Sequence, residues 1–257
     1  MSAFAQRALK KICVAPAYVA RFAERATVVS RDPGGIIVRR NEYVTHWSMV
    51  ISGLVVASVP GEGGREMPLN IYGIDAWFGE QSIINRKATY LQYEALLDTD
   101  LLCLRKEDFL ELITLDPEFS MYVTRLMAWR VEFHSNMLML MRAGSAHVRV
   151  VMGLAQLAEA LATQSARPPT IGLDGGFTIP IKQAILARLC GVSRGVFSDC
   201  IQVLERSGWV LVSYGTLELK EIDTWRRFMR HMRAAEIDVS SASIHTLLKL
   251  LASSASF

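Results

Sequence analysis

Between about Thr27 and Arg105 apolar and β-branched residues come in short runs broken by glycine, as in Gly35-Ile-Ile-Val38, Met49-Val-Ile-Ser-Gly-Leu-Val-Val-Ala57 and Leu101-Leu-Cys-Leu104. Runs of this length separated by turn residues predict a small barrel or sandwich of strands. Pro60-Gly-Glu-Gly-Gly64 lies between two such runs, and its glycines can take positive φ, so a hairpin turn is expected there. Past Arg105 the period changes. Phe119, Tyr122, Leu126, Trp129, Phe133, Met137 and Leu140 recur at steps of three and four, the spacing of one helical stripe. Val123, Met127, Val131, Leu138 and Met141 form a second stripe on a neighbouring face. That is more apolar surface than one small barrel covers. Either the helix is wholly buried in one core, or one stripe packs on the barrel and the other on a twin helix in a parallel dimer; the second is the expectation, with Leu126, Trp129, Phe133, Met137 and Leu140 at the dimer interface.

Arg142-Ala-Gly-Ser145 interrupts the pattern, with Gly144 as a helix end and Ser145 as the cap of a further helix from His147 to about Leu161. A polar loop, Gln164-Ser-Ala-Arg-Pro-Pro169, leads to a strand-like stretch, Phe177-Thr-Ile-Pro-Ile181. Gln183 to Arg206 then reads as helix, tight turn, helix. Leu186 and Leu189 anchor the first helix, Gly191 permits the turn, and Ser193 can accept a hydrogen bond from the start of the second. Val196, Ile201 and Leu204 supply inward-facing groups. Ser207-Gly208 closes the second helix, and Trp209 to Leu219 reads as two strands about a turn at Tyr214-Gly215.

A helical hairpin with an attached β-wing is a DNA-reading device, and the charge distribution agrees. Residues 1–141 hold 15 Lys and Arg against 16 Asp and Glu, whereas residues 142–233 hold 12 against 7. The second helix of such a motif enters the major groove, its first residues against base edges. Ser193, Arg194, Gly195 and Ser198 are therefore the expected base-side residues, with Lys182, Arg188 and Arg206 near the phosphates. Arg226, Arg227, Arg230 and Arg233 crowd a later helix that serves equally as a solvated face.

Composition narrows the rest. With 257 residues, 51% of them hydrophobic and 21% charged, the chain can build one large or two ordinary cores. No apolar run approaches the roughly 20 residues that cross a bilayer, and the first residues lack the apolar core of a signal peptide, so a cytoplasmic location is expected. Cys13, Cys103, Cys190 and Cys200 fall in no Cys-x-x-Cys spacing and are read as free thiols, with Cys103 and Cys190 as core residues.

The order of these features resembles the CRP/FNR superfamily over roughly residues 25–222. The resemblance is carried by Val50-Ile-Ser-Gly-Leu-Val-Val-Ala57, Gly61-Glu-Gly-Gly-Arg-Glu66, Tyr72-Gly-Ile-Asp-Ala-Trp-Phe-Gly-Glu80, the long helix, Gly191-Val-Ser-Arg194 and the wing. It implies an α+β fold in four parts: a cupin-like β-roll sensor (1–115), a dimerisation helix and hinge (116–144), a winged helix-turn-helix (145–222) and a C-terminal helical extension (223–257). Within the last part Ile244-His-Thr-Leu-Leu-Lys-Leu-Leu251 forms an amphipathic helix that packs on the body or on a partner subunit. The implied partners are double-stranded DNA, a second copy of the chain and, for an activator, RNA polymerase; no membrane is involved.

The resemblance also exposes departures. In cyclic-nucleotide binders a Gly-Glu pair is followed by an Arg-Ser pair, glutamate meeting ribose and arginine phosphate. Here Gly79-Glu80 is present, but Asn85-Arg-Lys-Ala-Thr-Tyr90 replaces the rest. Either Arg86 or Lys87 substitutes, giving a cyclic-nucleotide-dependent regulator with an altered phosphate cassette, or the effector is a different small molecule. The second is the expectation, with Trp47, Phe78, Gly79, Glu80, Arg86 and Tyr90 as effector-binding residues. An aromatic effector would suit Trp47, Tyr72, Trp77, Phe78, Tyr90 and Tyr93, which serve equally as core. Gly195 and Asp199 replace the glutamate and arginine with which many relatives read bases, so no operator carries over. Iron-sulfur sensing lacks its cysteine cluster, and haem sensing has only His46 and His134 to offer. Two other classes stand beside the regulator: a cupin-type metalloenzyme using His46 and Glu42, and an interaction module with a vestigial helix-turn-helix. No catalytic residue and no metal ligand is assigned.

Overall fold

A computed structural model of the chain describes residues 2–61, 64, 66–164, 177–179, 181–213, 215–234 and 242–256. It divides into two compact units, Met1–His134 and Ser135–Phe257. The division falls inside the long helix.

The first unit opens with two helices, α1 (Ser2–Lys11) and α2 (Pro16–Arg25). Eight strands follow: β1 (Thr27–Arg31), β2 (Ile36–Val38), β3 (His46–Ser52), β4 (Val55–Pro60), β5 (Glu66–Tyr72), β6 (Trp77–Phe78), β7 (Gln92–Ala95) and β8 (Thr99–Arg105). They form two antiparallel sheets, ordered β1-β8-β3-β6 and β2-β7-β4-β5, with α3 (Glu80–Asn85) between β6 and β7. Gly53, at φ +84°, turns the chain between β3 and β4. A Cβ there would meet Asp98 O at 2.4 Å, so only glycine fits. The hairpin expected at Pro60–Gly64 joins β4 to β5, though Glu62 and Gly63 lie outside the described residues.

Alternation along the strands splits the apolar residues into two cores. Trp47, Met49, Trp77, Leu102 and Leu104 face a helical layer that includes Leu9, Phe22, Phe109, Leu112, Phe119 and Val123. Val50, Phe78, Leu101 and Cys103 face the opposite sheet, where Val55, Ala57, Tyr72 and Tyr93 meet them. Neighbours in sequence therefore belong to different cores, as Trp77 and Phe78 do.

The helical layer is closed by α4 (Lys106–Leu115) and the first turns of α5 (Pro117–Ala143). Buried Asp116 caps α5, its Oδ1 accepting from the backbone N–H groups of Glu118 (3.1 Å) and Phe119 (3.2 Å). Its other oxygen accepts from Ala15 N at 2.7 Å, joining the N-terminal helices to the start of α5. Arg25 reaches buried Asp108 of α4 at 2.8 Å.

On α5 the chain's own core draws on both stripes. Phe119 and Val123 are buried in the protomer's own core, and Tyr122 and Leu126 pack against it. Helical periodicity carries the same side to Phe133, which is 8% exposed. Leu126 and Phe133 are thus contacts within one chain, and Trp129, whose ring lies 5.4 Å from that of Phe133, is half-buried. The open apolar side chains are Met121, Val131, Leu138 and Met139. The side chains of Met137 and Leu140 lie outside the described residues.

The second unit contains α6 (Ala146–Gln164), β9 (Phe177–Ile179), α7 (Gln183–Leu189), α8 (Arg194–Arg206), β10 (Val210–Ser213), β11 (Thr216–Leu219), α9 (Ile222–Ala234) and α10 (Ile244–Ser253). A three-stranded sheet runs β10-β11-β9. Ser145 caps α6, accepting from Val148 N. Trp225, Phe228 and Met229 of α9 are buried, as are Leu247 and Leu251 of α10.

Candidate nucleic-acid interface and sensor core

Helix α7 ends at Cys190, and Gly191 adopts φ +63° in the turn. The N–H of Gly191 bonds to Arg188 O (3.0 Å) and that of Val192 to Ala187 O (3.0 Å), satisfying the carbonyls left open at the helix end. Ser193 caps α8, its Oγ accepting from Val196 N at 3.3 Å. The inner face of α8 is formed by Phe197, Cys200, Ile201 and Leu204, all buried, with Leu186 and Ala187 buried on α7. Phe197 and Cys200 carry more of this contact than Val196, which is only half-buried.

The outer face begins with Ser193, Arg194 and Gly195, all exposed, followed by half-buried Ser198 and exposed Asp199, Gln202 and Arg206. A Cβ built on Gly195 would meet nothing within 4 Å, so the helix opens on a bare stretch of backbone. Gln202 was absent from the residues expected from the sequence. Its position three residues after Asp199 places it on the same side, and its amide can pair with adenine. Lys182 and Arg188, at the two ends of α7, are exposed. The wing is fastened to α8 by Glu205, whose Oε1 accepts from Val212 N at 3.0 Å. Tyr214 at the wing tip and the side chains of Arg230 and Arg233 lie outside the described residues. Burial pushes the Cys190 thiol up to about 12 and, with Asp199 beside it, raises that of Cys200, so both remain protonated.

In the first unit the six expected effector residues are not brought to one surface. Trp47 is fully buried and stacks on Trp77, centroids 4.0 Å apart, in the helical-layer core. This corrects its placement beside Phe78: the two residues face opposite cores. Phe78 stacks on Tyr93 at 5.1 Å and lies 5.2 Å from Tyr72, inside the roll. Burial raises the Tyr93 hydroxyl well above its ordinary range. Gly79, at φ +101°, brings the chain within reach of His46 O and Val44, where a Cβ would sit at 3.1 Å from each. Arg86 ends α3 in the left-handed region, and Arg86, Lys87 and Tyr90 are exposed.

Glu80 is fully buried, and its carboxylate is already engaged. Oε2 accepts from the Trp47 indole N–H at 3.1 Å, and Oε1 pairs with the guanidinium of Arg130 on α5. The second terminal nitrogen of Arg130 donates to Trp77 O, and the guanidinium carbon lies 5.5 Å from the centre of the Tyr72 ring. Its Nε is buried without an acceptor. Arg130 was missed in the sequence, although a cation between Trp129 and Val131 on an otherwise apolar stretch of helix is the signal that marks it. His46 bonds to Thr45 Oγ1 at 2.9 Å, and burial together with Arg130 holds His134 below the usual imidazole range. Among the described residues no group of three or more His, Cys, Asp or Glu could hold a metal ion, and no helix is long and apolar enough to cross a membrane.

Comparison with known proteins agrees with this geometry. The family model described as the cyclic nucleotide-binding domain matches residues 28–116. The chain is 31% identical over 173 residues to the cyclic AMP receptor protein of Thermus thermophilus, an alignment spanning 67% of this chain and 74% of that protein. Among solved structures, FixK2 of Bradyrhizobium japonicum superposes with a TM-score of 0.65 at 16% identity, covering 78% of this chain and 95% of that one. A CRP/FNR-family transcriptional regulator, also of Thermus thermophilus, superposes with a TM-score of 0.60 at 18% identity, covering 79% and 98%. These likenesses in fold match the β-roll and the winged helix-turn-helix described above, and with the curated relative they place the chain in the CRP/FNR superfamily of transcription regulators.

Proposed function

We propose that the chain is a homodimeric regulator that reads duplex DNA through α8 and answers to a small-molecule effector other than cyclic AMP. The observation that carries the DNA reading is the capped, wing-fastened α8. It exposes Ser193, Arg194, Gly195 and Gln202, with half-buried Ser198 between them, while Phe197, Cys200, Ile201 and Leu204 anchor the other side. Lys182, Arg188 and Arg206 supply phosphate contacts. Dimerisation uses the open apolar side chains of α5 within the first unit, Met121 and Val131.

The effector reading rests on the sensor core. Glu80 is committed to Trp47 and Arg130, and no Arg-Ser pair follows it, so ribose and cyclic phosphate lack their usual partners. An effector with acceptor oxygens would meet the open Nε of Arg130 instead. By moving Arg130 it would bias α5, which carries the dimer contacts, and so shift a population of conformers rather than drive a reaction.

The test is a fluorescence-anisotropy titration of the full chain on the duplex upstream of its own gene, against random duplex at several salt concentrations. Binding that resists random competitor and weakens about tenfold in Arg194→Ala is expected. Equal affinity for both duplexes in every condition, with Arg194→Ala indistinguishable from the parent, refutes the reading.

A further inference from the structure

Helix α7 offers only Leu186 and Ala187 as fully buried residues, a narrow support for the 13-residue α8. Further support comes from the wing strand β10 on one hand and from α6 and α10 on the other, all of which pack on α8. Helix α10 also packs on α6 and α9, with Leu247 and Leu251 fully buried. Its two ends are tied down. At its start Ser243 accepts from Thr246 N (3.2 Å), and one residue earlier Ala242 O accepts from the hydroxyl of Ser145 (3.3 Å). The same hydroxyl caps α6 through Val148 N (3.4 Å). Beyond its other end Ser254 O accepts from Arg227 Nε of α9 at 3.0 Å, and Arg227 is itself steadied by Thr224 Oγ1 at 3.1 Å.

From these contacts we infer that α9 and α10 are a positioning element for base reading, clamping the recognition helix α8 to the cap of α6. The inference rests on the DNA-binding reading above. Base edges tolerate little displacement of the groups that read them, whereas phosphate contacts made by long cationic side chains tolerate more. A brace behind α8 therefore governs the preference for one sequence over another. It has little effect on the electrostatic affinity for any duplex. Leu247, Leu251 and Ser145 act through α8 and touch no base.

The experiment measures affinity for the chain's own upstream duplex and for random duplex of equal length, across a salt series, in full-length variants. Leu251→Ala is expected to lower the specific-to-random ratio by about tenfold, while random-duplex affinity and salt slope stay unchanged. Leu251→Met, which conserves volume, restores the ratio. A second pair covers the case in which Leu251→Ala fails to fold. Ser145→Asp keeps the cap on Val148 N but offers no donor to Ala242 O, and it is expected to lose the ratio. Ser145→Asn can both accept and donate, and it is expected to keep it. An unchanged ratio in both loss variants overturns the inference. So does a parallel fall in specific and random binding that tracks the folded fraction by circular dichroism. A parent protein with no preference for its own duplex instead refutes the DNA reading itself.

Discussion

Replacing Arg130 with methionine tests the sensor core most directly. Glu80 is fully buried and Arg130 11% exposed, so the substitution leaves a carboxylate inside the protein with the Trp47 indole as its remaining partner. Breaking a buried pair from one side costs about 3–5 kcal/mol, because the surviving charge keeps its desolvation penalty and loses its compensation. At roughly 2.1 cal/mol/K of unfolding entropy per residue, a unit of this size unfolds with an entropy on the order of 0.3 kcal/mol/K, so the loss corresponds to a fall in midpoint of roughly 10–18 °C. Thermal unfolding followed by near-ultraviolet circular dichroism reports on it, since the stacked Trp47–Trp77 pair lies beside the charges. The double variant Arg130→Met/Glu80→Gln removes both charges and is expected to recover most of the loss, giving a coupling energy above about 1 kcal/mol. A single variant within about 2 °C of the parent, or a double variant whose loss is the sum of the two single ones, would show that the pair is not a buried unit.

Three further expectations address separate parts of the molecule. Gly195→Ala adds a methyl into open space in the first turn of α8 and should raise stability by about 0.5–1 kcal/mol, whereas Gly153→Ala places a Cβ at 2.8 Å from Cys190 Sγ and should lower it by about 1–3 kcal/mol; urea denaturation decides both signs. Of the four free thiols only Cys13 is exposed, so a thiol reagent should label one cysteine rapidly in native protein and all four after denaturation. Glu66 feels burial, which raises its pKa, but hydrogen bonds from Arg40 and Ser58 and the Arg40 charge outweigh it and hold it below the usual carboxylate value. A depressed folded-state pKa contributes stability above the unfolded value and loses it as pH falls through the folded one. Arg40→Gln should therefore differ from the parent most at neutral pH, and the difference should close in acid; a constant gap from pH 7 to pH 3 in urea midpoints refutes the assignment.

What could be read beforehand followed from local rules. Glycine at a turn, serine at a cap and a three-to-four spacing of apolar residues are properties of a few neighbouring residues, which is why Gly191, Ser193 and the limits of α8 were legible. Facing was harder. Along β6 one position decides between two cores, and the aromatic residues of a two-layer roll all look alike in sequence, so Trp47 was grouped with Phe78 although alternation sends them apart. On α5 both stripes are apolar, and tertiary packing takes Phe119 from one and Val123 from the other into the same core, which spacing alone does not foretell. The cation Arg130 stands out on its apolar stretch of helix, but its partner Glu80, fifty positions away, does not follow from any local rule. The N-terminal helices escaped notice because their buried face includes Ala5 and Ala8, which register weakly as hydrophobic. In α9, Trp225, Phe228 and Met229 are interleaved with arginines that drew attention to charge instead.

The carboxylate of Asp116 also has a bearing on the order in which the protein is made. It bonds Ala15, 101 positions earlier in the chain, and Asp108 and Glu111 receive Arg25 and Arg21 from nearly as far back. During translation the first two helices emerge without any of these partners. At about 5–20 residues per second, roughly 5–20 s pass before residue 116 follows. Through that interval Leu9, Val19 and Phe22, all buried in the finished unit, lack the part of their core that Phe109, Leu112 and Phe119 supply. The two helices are thus synthesised well before the α4–α5 corner that receives them, and their final docking waits on it.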